Sequence, residues 1–228
     1  MDKRTWIIFG VAVVAILAGL VMFSRQGSVN VDNVNNAAVR TSGDKNSEIA
    51  DHVFGQPNKK VVLIEYGDFQ CPGCGTFHTN FQPIMDDYKD KITFVFRNFP
   101  ITTIHPNARA AAASAESASL QGKYWEMWNA LYNKQNDWNS LASDQRDQYF
   151  ETLAQGLGLD MNKFKSDVTS NKVSTKINFD QSLGKANGVT GTPTLFLNGK
   201  ILATDDYKST DIIKTTLDNA LKDAANNK

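Results

Sequence analysis

The sequence predicts an α/β domain preceded by one N-terminal transmembrane helix. Three observations lead to this prediction: an uncharged apolar run near the N-terminus, a β-branched run followed at once by two cysteines, and a return to strand-like sequence after a long stretch of helical periodicity. The predicted order in the domain is strand, helix, strand, a helical block, a β-hairpin and a closing helix.

The first predicted element is the membrane anchor. Residues 6–23 carry no charge, and as a helix they would run roughly 27 Å, nearly the thickness of a bilayer core. Lys3 and Arg4 precede this run and Arg25 follows it, which places the N-terminus in the cytoplasm and the rest of the chain outside. A cleaved signal peptide is the alternative, but the apolar run is long for one and lacks an A-x-A-like site. We predict a single-pass anchor over residues 1–23 in the cell membrane.

A polar tether is predicted next. Residues 24–50 are rich in Asn, Ser, Gly and Asp, and they contain too few large apolar residues for a core. With an r.m.s. span of roughly 30 Å, such a tether lets a domain at residues 51–228 approach the membrane.

Across the chain 24 Lys and Arg balance 24 Asp and Glu. Because positive and negative charges balance, the chain has no net positive charge to attract the phosphate backbone, and we exclude nucleic acid as a partner.

The domain begins with a buried strand over residues 60–67, KVVLIEYG, which is apolar, β-branched and bounded by turn residues. The CPGC sequence follows, and apolar residues then recur at helical spacing from Cys74 to Tyr88. Pro72 suits the first turn of this helix, whereas Pro83 should kink or divide it.

The remaining elements are predicted from periodicity and turn residues. Residues 91–100 alternate as a second strand that ends at a proline, and helical periodicity then extends over about 105–187. Two short strands flank Asn198-Gly199, a dipeptide that favours a type I′ hairpin turn. A helix over residues 210–224 closes the domain. Helical spacing of Trp125, Trp128 and Tyr132 predicts packing in the core or at a domain interface.

The two cysteines, Cys71 and Cys74, allow three interpretations. Zinc would need four ligands, and the three histidines form no second clustered pair, so we predict no metal. A structural disulfide is possible outside the cytoplasm, but so small a loop stabilises a fold little. A redox pair is favoured, because a helix N-terminus stabilises the Cys71 thiolate and Cys74, one turn inside, can attack a mixed disulfide. We expect no cofactor beyond this redox-active disulfide.

Two further positions extend the candidate site. Glu65 lies in the apolar strand six residues before Cys71, where a desolvated carboxyl group would have a raised pKa and could shuttle a proton for Cys74. The alternative is an acid at a solvent-exposed strand position. Pro193 follows Thr192 and opens a strand, and the pattern alone leaves both a cis and a trans bond open. We interpret His78, four residues after Cys74, as a packing residue at the helix surface.

From about residue 51 to 224 the sequence resembles the DsbA-like branch of the thioredoxin superfamily, in particular its membrane-anchored bacterial forms. The resemblance rests on VLIEYGDFQCPGC, on FRNFP followed by HPNARAAAASAES, on GKYWEMWNALY and on VTGTPTLFLNGK, in this order. It implies a thioredoxin fold with a helical insertion and the activity of a protein thiol–disulfide oxidoreductase.

The resemblance also implies roles for residues. Cys71 would be the exposed nucleophile, Cys74 the resolving thiol and Glu65 the buried acid. Thr192-Pro193 would be the cis-proline dipeptide, whose backbone binds extended substrates by strand addition. Between the cysteines this chain has Pro72-Gly73, whereas the best-known oxidases of the family have Pro-His. The resemblance therefore does not imply how strongly oxidising the Cys71–Cys74 pair is.

These features together predict an extracytoplasmic oxidase. It would pass the Cys71–Cys74 disulfide to cysteine-containing secreted or envelope proteins and would act as a monomer. Its re-oxidant would be a membrane quinone-linked protein of the DsbB or VKOR-like type. A reductase or isomerase fed by a membrane electron donor is the alternative, and a copper-binding chaperone is a third possibility.

Overall fold

The computed structural model describes residues 10, 12–14, 31, 38–43 and 46–226. They fall in two units, residues 1–30 and 31–228. In the first unit the described residues are helical, and the rest of the predicted anchor lies outside the described residues. None of the helices in this described part of the chain has the length and apolar character needed to cross a bilayer.

The second unit is built from a five-stranded sheet and its covering helices. The strands are β1 (His52–Gly55), β2 (Val62–Gly67), β3 (Thr93–Asn98), β4 (Thr194–Leu197) and β5 (Lys200–Ile201). The α-helices are α1 (Pro72–Phe81), α2 (Met85–Tyr88), α3 (Ala108–Ser119), α4 (Tyr124–Asn133), α5 (Gln135–Trp138), α6 (Ser143–Gly156), α7 (Met161–Asp167), α8 (Asn171–Ala186) and α9 (Thr210–Asn226). The predicted α/β class and the predicted order of elements are confirmed, and β1 is an additional strand.

The strand order in the sheet is β1-β3-β2-β4-β5. β2 and β3 run parallel, whereas the other neighbouring pairs are antiparallel. β2 is central, and its residues from Leu63 to Tyr66 are at most 1% exposed. Both faces of this strand are therefore covered, as expected for its continuous apolar sequence.

The predicted turn chemistry is confirmed at two places. α1 ends at Phe81 and a 3-10 turn, Gln82–Ile84, separates it from α2, because Pro83 lacks an N–H and clashes with the preceding helical turn. In the hairpin, Asn198 and Gly199 have φ angles of 50° and 79°, the left-handed values that a type I′ turn requires.

The helical insertion, α3 to α8, shares one apolar core with the sheet. Trp128 of α4 is fully buried, and its ring centroid lies 6.1 Å from that of Phe96 in β3. Tyr132 packs on Phe69 at 5.0 Å between centroids. The predicted core packing of these aromatic residues is confirmed, and it holds the insertion against the segment that carries the cysteines.

A buried ion-pair cluster fastens the described end of the predicted tether. Asp51 contacts Arg97 at 2.7 Å and Lys176 at 3.3 Å, and its Oδ2 accepts the Arg40 backbone N–H at 3.0 Å. Burial alone would raise the pKa of Asp51. The charges of Lys176 and Arg97 outweigh this effect and hold the pKa well below its usual range. Residues just before the domain thus pack on β3 and α8.

Candidate active site

The two cysteines lie at the start of α1, beyond the carboxyl end of β2. Cys71 is the N-cap residue with extended backbone angles, and Pro72 follows at the first helical position. The Cys71 N–H donates to Asp68 O at 3.0 Å, which closes the turn between strand and helix. Cys71 is 7% exposed, Cys74 is fully buried, and both are free thiols.

The polar groups near the Cys71 sulfur favour its ionised form. Hydrogen bonding from the Cys74 thiol contributes most to lowering the pKa of Cys71 to about 5, and burial opposes it. The Thr192 side chain and the backbone N–H groups of Cys74 and Gly73 lower this pKa further. Cys71 is therefore a thiolate at neutral pH, as a nucleophile at a helix N-terminus should be.

Cys74 has the opposite environment. Burial raises its pKa well above the usual value, and the hydrogen bond to Cys71 and the charge of Glu65 act in the same direction. The Asp68 N–H, 3.4 Å from the Cys74 sulfur, opposes them weakly. The pair is thus asymmetric, with a thiolate that keeps a small exposed area and a thiol that is fully buried. The expectation of an exposed Cys71 is corrected, because the structure buries most of this side chain as well.

Glu65 lies beneath the pair in β2, between Phe96 of β3 and Leu195 of β4. It is fully buried, so a solvent-exposed strand position is excluded. Neither carboxyl oxygen has a hydrogen-bond partner among the described residues. Burial, followed by the nearby charge of Cys71, raises the pKa of Glu65 well above its usual value. Burial therefore disfavours the ionised form of this carboxyl group.

The loop before β4 completes the site. The Thr192–Pro193 peptide bond is cis, and the Cys71 thiol lies 3.3 Å from Thr192 O. A Cβ atom added to Gly73 would lie 3.1 Å from Pro193 Cδ, so the glycine of CPGC lets the two loops approach closely. The structure brings together all the predicted site residues around one sulfur pair.

A family model described as thioredoxin matches residues 47–219, which contain this entire site. The chain belongs to the thioredoxin family.

Solved structures share the fold of this thioredoxin-family chain. Oxidised BdbD from Bacillus subtilis is 24% identical with a TM-score of 0.64, covering 82% of this chain and 100% of that one. Wolbachia pipientis alpha-DsbA1 is 24% identical with a TM-score of 0.63, covering 77% and 92%. Proteus mirabilis ScsC is 15% identical with a TM-score of 0.61, covering 96% and 94%. The predicted thioredoxin fold is thereby confirmed.

Curated relatives with higher identity are much longer proteins. The Na(+)/H(+) antiporter NhaA 1 of Mycolicibacterium gilvum is 37% identical over 154 residues, which are 66% of this chain and 24% of that protein. A protein of the same name from Salinispora arenicola is 34% identical over 150 residues, 66% and 22% of the two chains. The chain spans about a quarter of the length of these curated relatives.

Several polar residues that the sequence analysis missed hold the cysteine turn in this thioredoxin-family domain. Asp68 Oδ2 accepts hydrogen bonds from the Ile101 N–H and from His105 Nδ1, both at 2.8 Å. Gln135 donates to the Phe69 carbonyl in the turn, and Gln70, in the turn itself, donates to the Asn139 carbonyl of the helical insertion. These contacts join segments that are distant in sequence, so periodicity gave no signal for them.

The interpretation of His78 as a surface residue is wrong. It is 3% exposed, it lies 2.9 Å from Asn129 Oδ1 through Nε2, and it stacks on Tyr132 at 5.1 Å between centroids. Burial lowers the pKa of His78. It is a packing residue as expected, but the helical insertion covers it.

Proposed function

We propose that this protein is an extracytoplasmic thiol–disulfide oxidase that donates the Cys71–Cys74 disulfide to cysteine pairs in other proteins. The observation that carries the proposal is the asymmetry of the pair, with the pKa of Cys71 lowered to about 5 and that of Cys74 raised by burial. A stabilised thiolate favours the reduced form of the pair, which makes its disulfide a strong oxidant.

In the first step a substrate thiolate attacks the Cys71 sulfur of the oxidised pair. The Cys71–Cys74 bond breaks, a mixed disulfide forms between substrate and Cys71, and Cys74 leaves as a thiolate that must be protonated. Neutral Glu65 is suited to donate this proton, since it is buried in the same region and has no competing partner among the described residues. The full burial of Cys74 directs the attack to Cys71.

In the second step the other thiolate of the substrate attacks the substrate sulfur of the mixed disulfide. The substrate disulfide forms and Cys71 leaves as the stabilised thiolate. The substrate loses two electrons and two protons in the whole reaction. The enzyme pair gains the electrons, Cys74 retains one proton, and the other proton is released because Cys71 stays ionised.

Substrate binding by strand addition is supported by the position of Thr192. Its carbonyl oxygen lies beside the Cys71 sulfur, next to the start of β4. An extended peptide paired with this backbone would present a cysteine to Cys71 through main-chain contacts, which demand no particular side chains. A broad range of cysteine-containing substrates is therefore proposed.

The membrane location is proposed from residues 1–25, whose apolar run and flanking charges are those of a signal anchor. The similar segments in proteins named as Na(+)/H(+) antiporters support a role beside a membrane. A quinone-linked membrane protein of the DsbB or VKOR-like type would then re-oxidise the pair.

A transfer assay tests the proposal. The oxidised full chain in detergent is mixed with a reduced peptide that has two cysteines, and alkylated products are counted by mass spectrometry. We expect one peptide disulfide for each protein disulfide lost, and none with Cys71→Ser. Reduction of the oxidised peptide by the dithiol protein, without the forward transfer, would identify a reductase instead.

A further inference from the structure

A glutamine of the helical insertion reaches the backbone of the cysteine turn. Gln135, at the start of α5, is 8% exposed. Its Nε2 donates to the carbonyl oxygens of Phe69 and Cys71, at 2.7 Å and 2.9 Å. One amide group thus holds the chain on both sides of residue 70.

A second glutamine makes the reverse contact. Gln70 lies in the turn itself, and its Nε2 donates to Asn139 O at 2.6 Å. Its Oε1 accepts the Asn107 N–H, also at 2.6 Å. The two glutamines therefore fasten the turn to the insertion through four hydrogen bonds, each to a backbone group.

Gly75 provides the space that Gln135 occupies. A Cβ atom added to Gly75 would lie 2.7 Å from Gln135 Oε1 and 3.2 Å from Gln135 Cδ. An alanine at this position of α1 would favour the helix, but it would push the amide group away. The position of the Gln135 side chain therefore explains why a glycine occupies position 75, directly after the CPGC sequence.

Of the two carbonyl groups that Gln135 binds, that of Cys71 bears directly on the reactive sulfur. It belongs to the peptide unit with Pro72, which has no N–H, so hydrogen bonds can hold this unit only through its oxygen. That oxygen accepts from the Gly75 N–H at 3.1 Å and from Gln135. Cys71 is the N-cap residue of α1, so the orientation of this peptide unit sets where its sulfur lies relative to the N-terminus of the helix.

We propose that Gln135 is a positioning residue, which orients the Cys71–Pro72 peptide unit and so holds the Cys71 sulfur at the N-terminus of α1. The inference rests on the proposed function only in taking Cys71 as the nucleophile. The helical insertion then does more than cover the sheet: it tunes the reactive thiol through a contact 64 residues away in sequence.

Gln135→Met tests this in the full chain, because methionine has nearly the same size and no amide donor. Thiolate absorbance gives the titration midpoint of Cys71, and glutathione buffers give the equilibrium of the pair. We expect the midpoint to rise by about half a unit and the equilibrium to shift about three-fold towards the disulfide. The control, Gln148→Met on the exposed face of α6, should change neither. A lower melting temperature with an unchanged midpoint would overturn the proposal.

Gly75→Ala provides a second test that keeps the glutamine. In the wild-type background the new methyl group should displace the amide and raise the Cys71 midpoint as Gln135→Met does. In a Gln135→Ala background it should leave the midpoint unchanged and raise the melting temperature, since alanine favours the helix. Equal effects in both backgrounds would contradict the proposal. These measurements do not depend on the direction of electron flow, so a reductase would be recognised separately by the transfer assay.

Discussion

The Cys71 sulfur lies 3.3 Å from the carbonyl oxygen of Thr192, a residue 121 positions further along the chain. This contact joins the start of α1 to the loop before β4. Because the same loop is the proposed binding site for an extended substrate, the reactive sulfur and the substrate backbone would meet at one place.

Alkylation should distinguish the two thiols. With the pKa of Cys71 at about 5 and that of Cys74 raised by burial, iodoacetamide at pH 7 should label Cys71 alone. Its rate should rise as pH increases through about 5 and then level off. Peptide mass spectrometry after brief labelling measures this. Equal labelling of both cysteines would contradict the asymmetry of the pair.

Thr192→Val should raise the pKa of Cys71. The variant removes a buried hydroxyl group that makes no full hydrogen bond among the described residues but helps lower this pKa from nearby, while the size of the side chain is unchanged. We expect the thiolate titration midpoint to move above 5 by about half a unit, as for the loss of one weak hydrogen bond. Thr190→Val, at an exposed position two residues earlier, is the matched control and should leave the midpoint unchanged.

Glu65→Gln should stabilise the protein at alkaline pH and slow thiol exchange. Burial raises the pKa of Glu65 in the folded state above its ordinary value of 4.5. The stability that this group contributes is therefore fully present below pH 4.5 and is lost as pH rises towards the folded-state pKa. Removing the ionisable group should increase the free energy of unfolding at pH 8 by about 1 to 3 kcal/mol, with little gain at pH 4.

Urea denaturation of the reduced protein at the two pH values measures this change. Glu126→Gln, in an exposed pair with Lys123, is the control and should show no such pH dependence. Rates of peptide oxidation should fall in Glu65→Gln, because an amide cannot donate a proton to Cys74 as a carboxylic acid can. A variant with wild-type rates would show that another group protonates Cys74.

Asp51→Asn should destabilise the fold without altering the cysteines. The variant leaves Arg97 and Lys176 with less counter-charge in the interior, which should cost about 3 to 5 kcal/mol. Since the pKa of Asp51 is lowered on folding, its contribution is present above its ordinary value of 3.8 and is lost as pH falls. The acid limb of the stability curve should therefore flatten in the variant.

Denaturation between pH 2 and pH 7 tests this expectation. Asp205→Asn, which breaks an exposed pair with Lys208, should leave the curve unchanged. The titration midpoint of Cys71 should be the same in both variants. A shift of that midpoint in Asp51→Asn would mean that the ion-pair cluster also acts on the active site.

Local features of the sequence were sufficient to predict most of the architecture. Pro83, Asn198 and Gly199 act through their own backbone preferences, and the apolar run around Glu65 already indicated a strand covered on both faces. β1 was missed because only four residues form it and its partner, β3, lies about forty residues further on. So short a segment shows no periodicity.

The residues missed in the site depend on tertiary contacts. Gln135 is polar and lies in a four-residue helix, so only the folded structure reveals which carbonyls it bonds. His78 could have been predicted better, because its position four residues after Cys74 puts both on one face of α1. Cys74, Phe77 and Phe81 bury that face, and the insertion covers the histidine as well.

Disulfide donation is tested most directly by the equilibrium of the Cys71–Cys74 pair with glutathione, measured on the full chain by alkylation of the remaining thiols. We predict a pair that is reduced far more readily than thioredoxin, with a potential well above that of the glutathione couple. A potential close to about −270 mV, the value of thioredoxin, would contradict disulfide donation and assign the protein to the reductases.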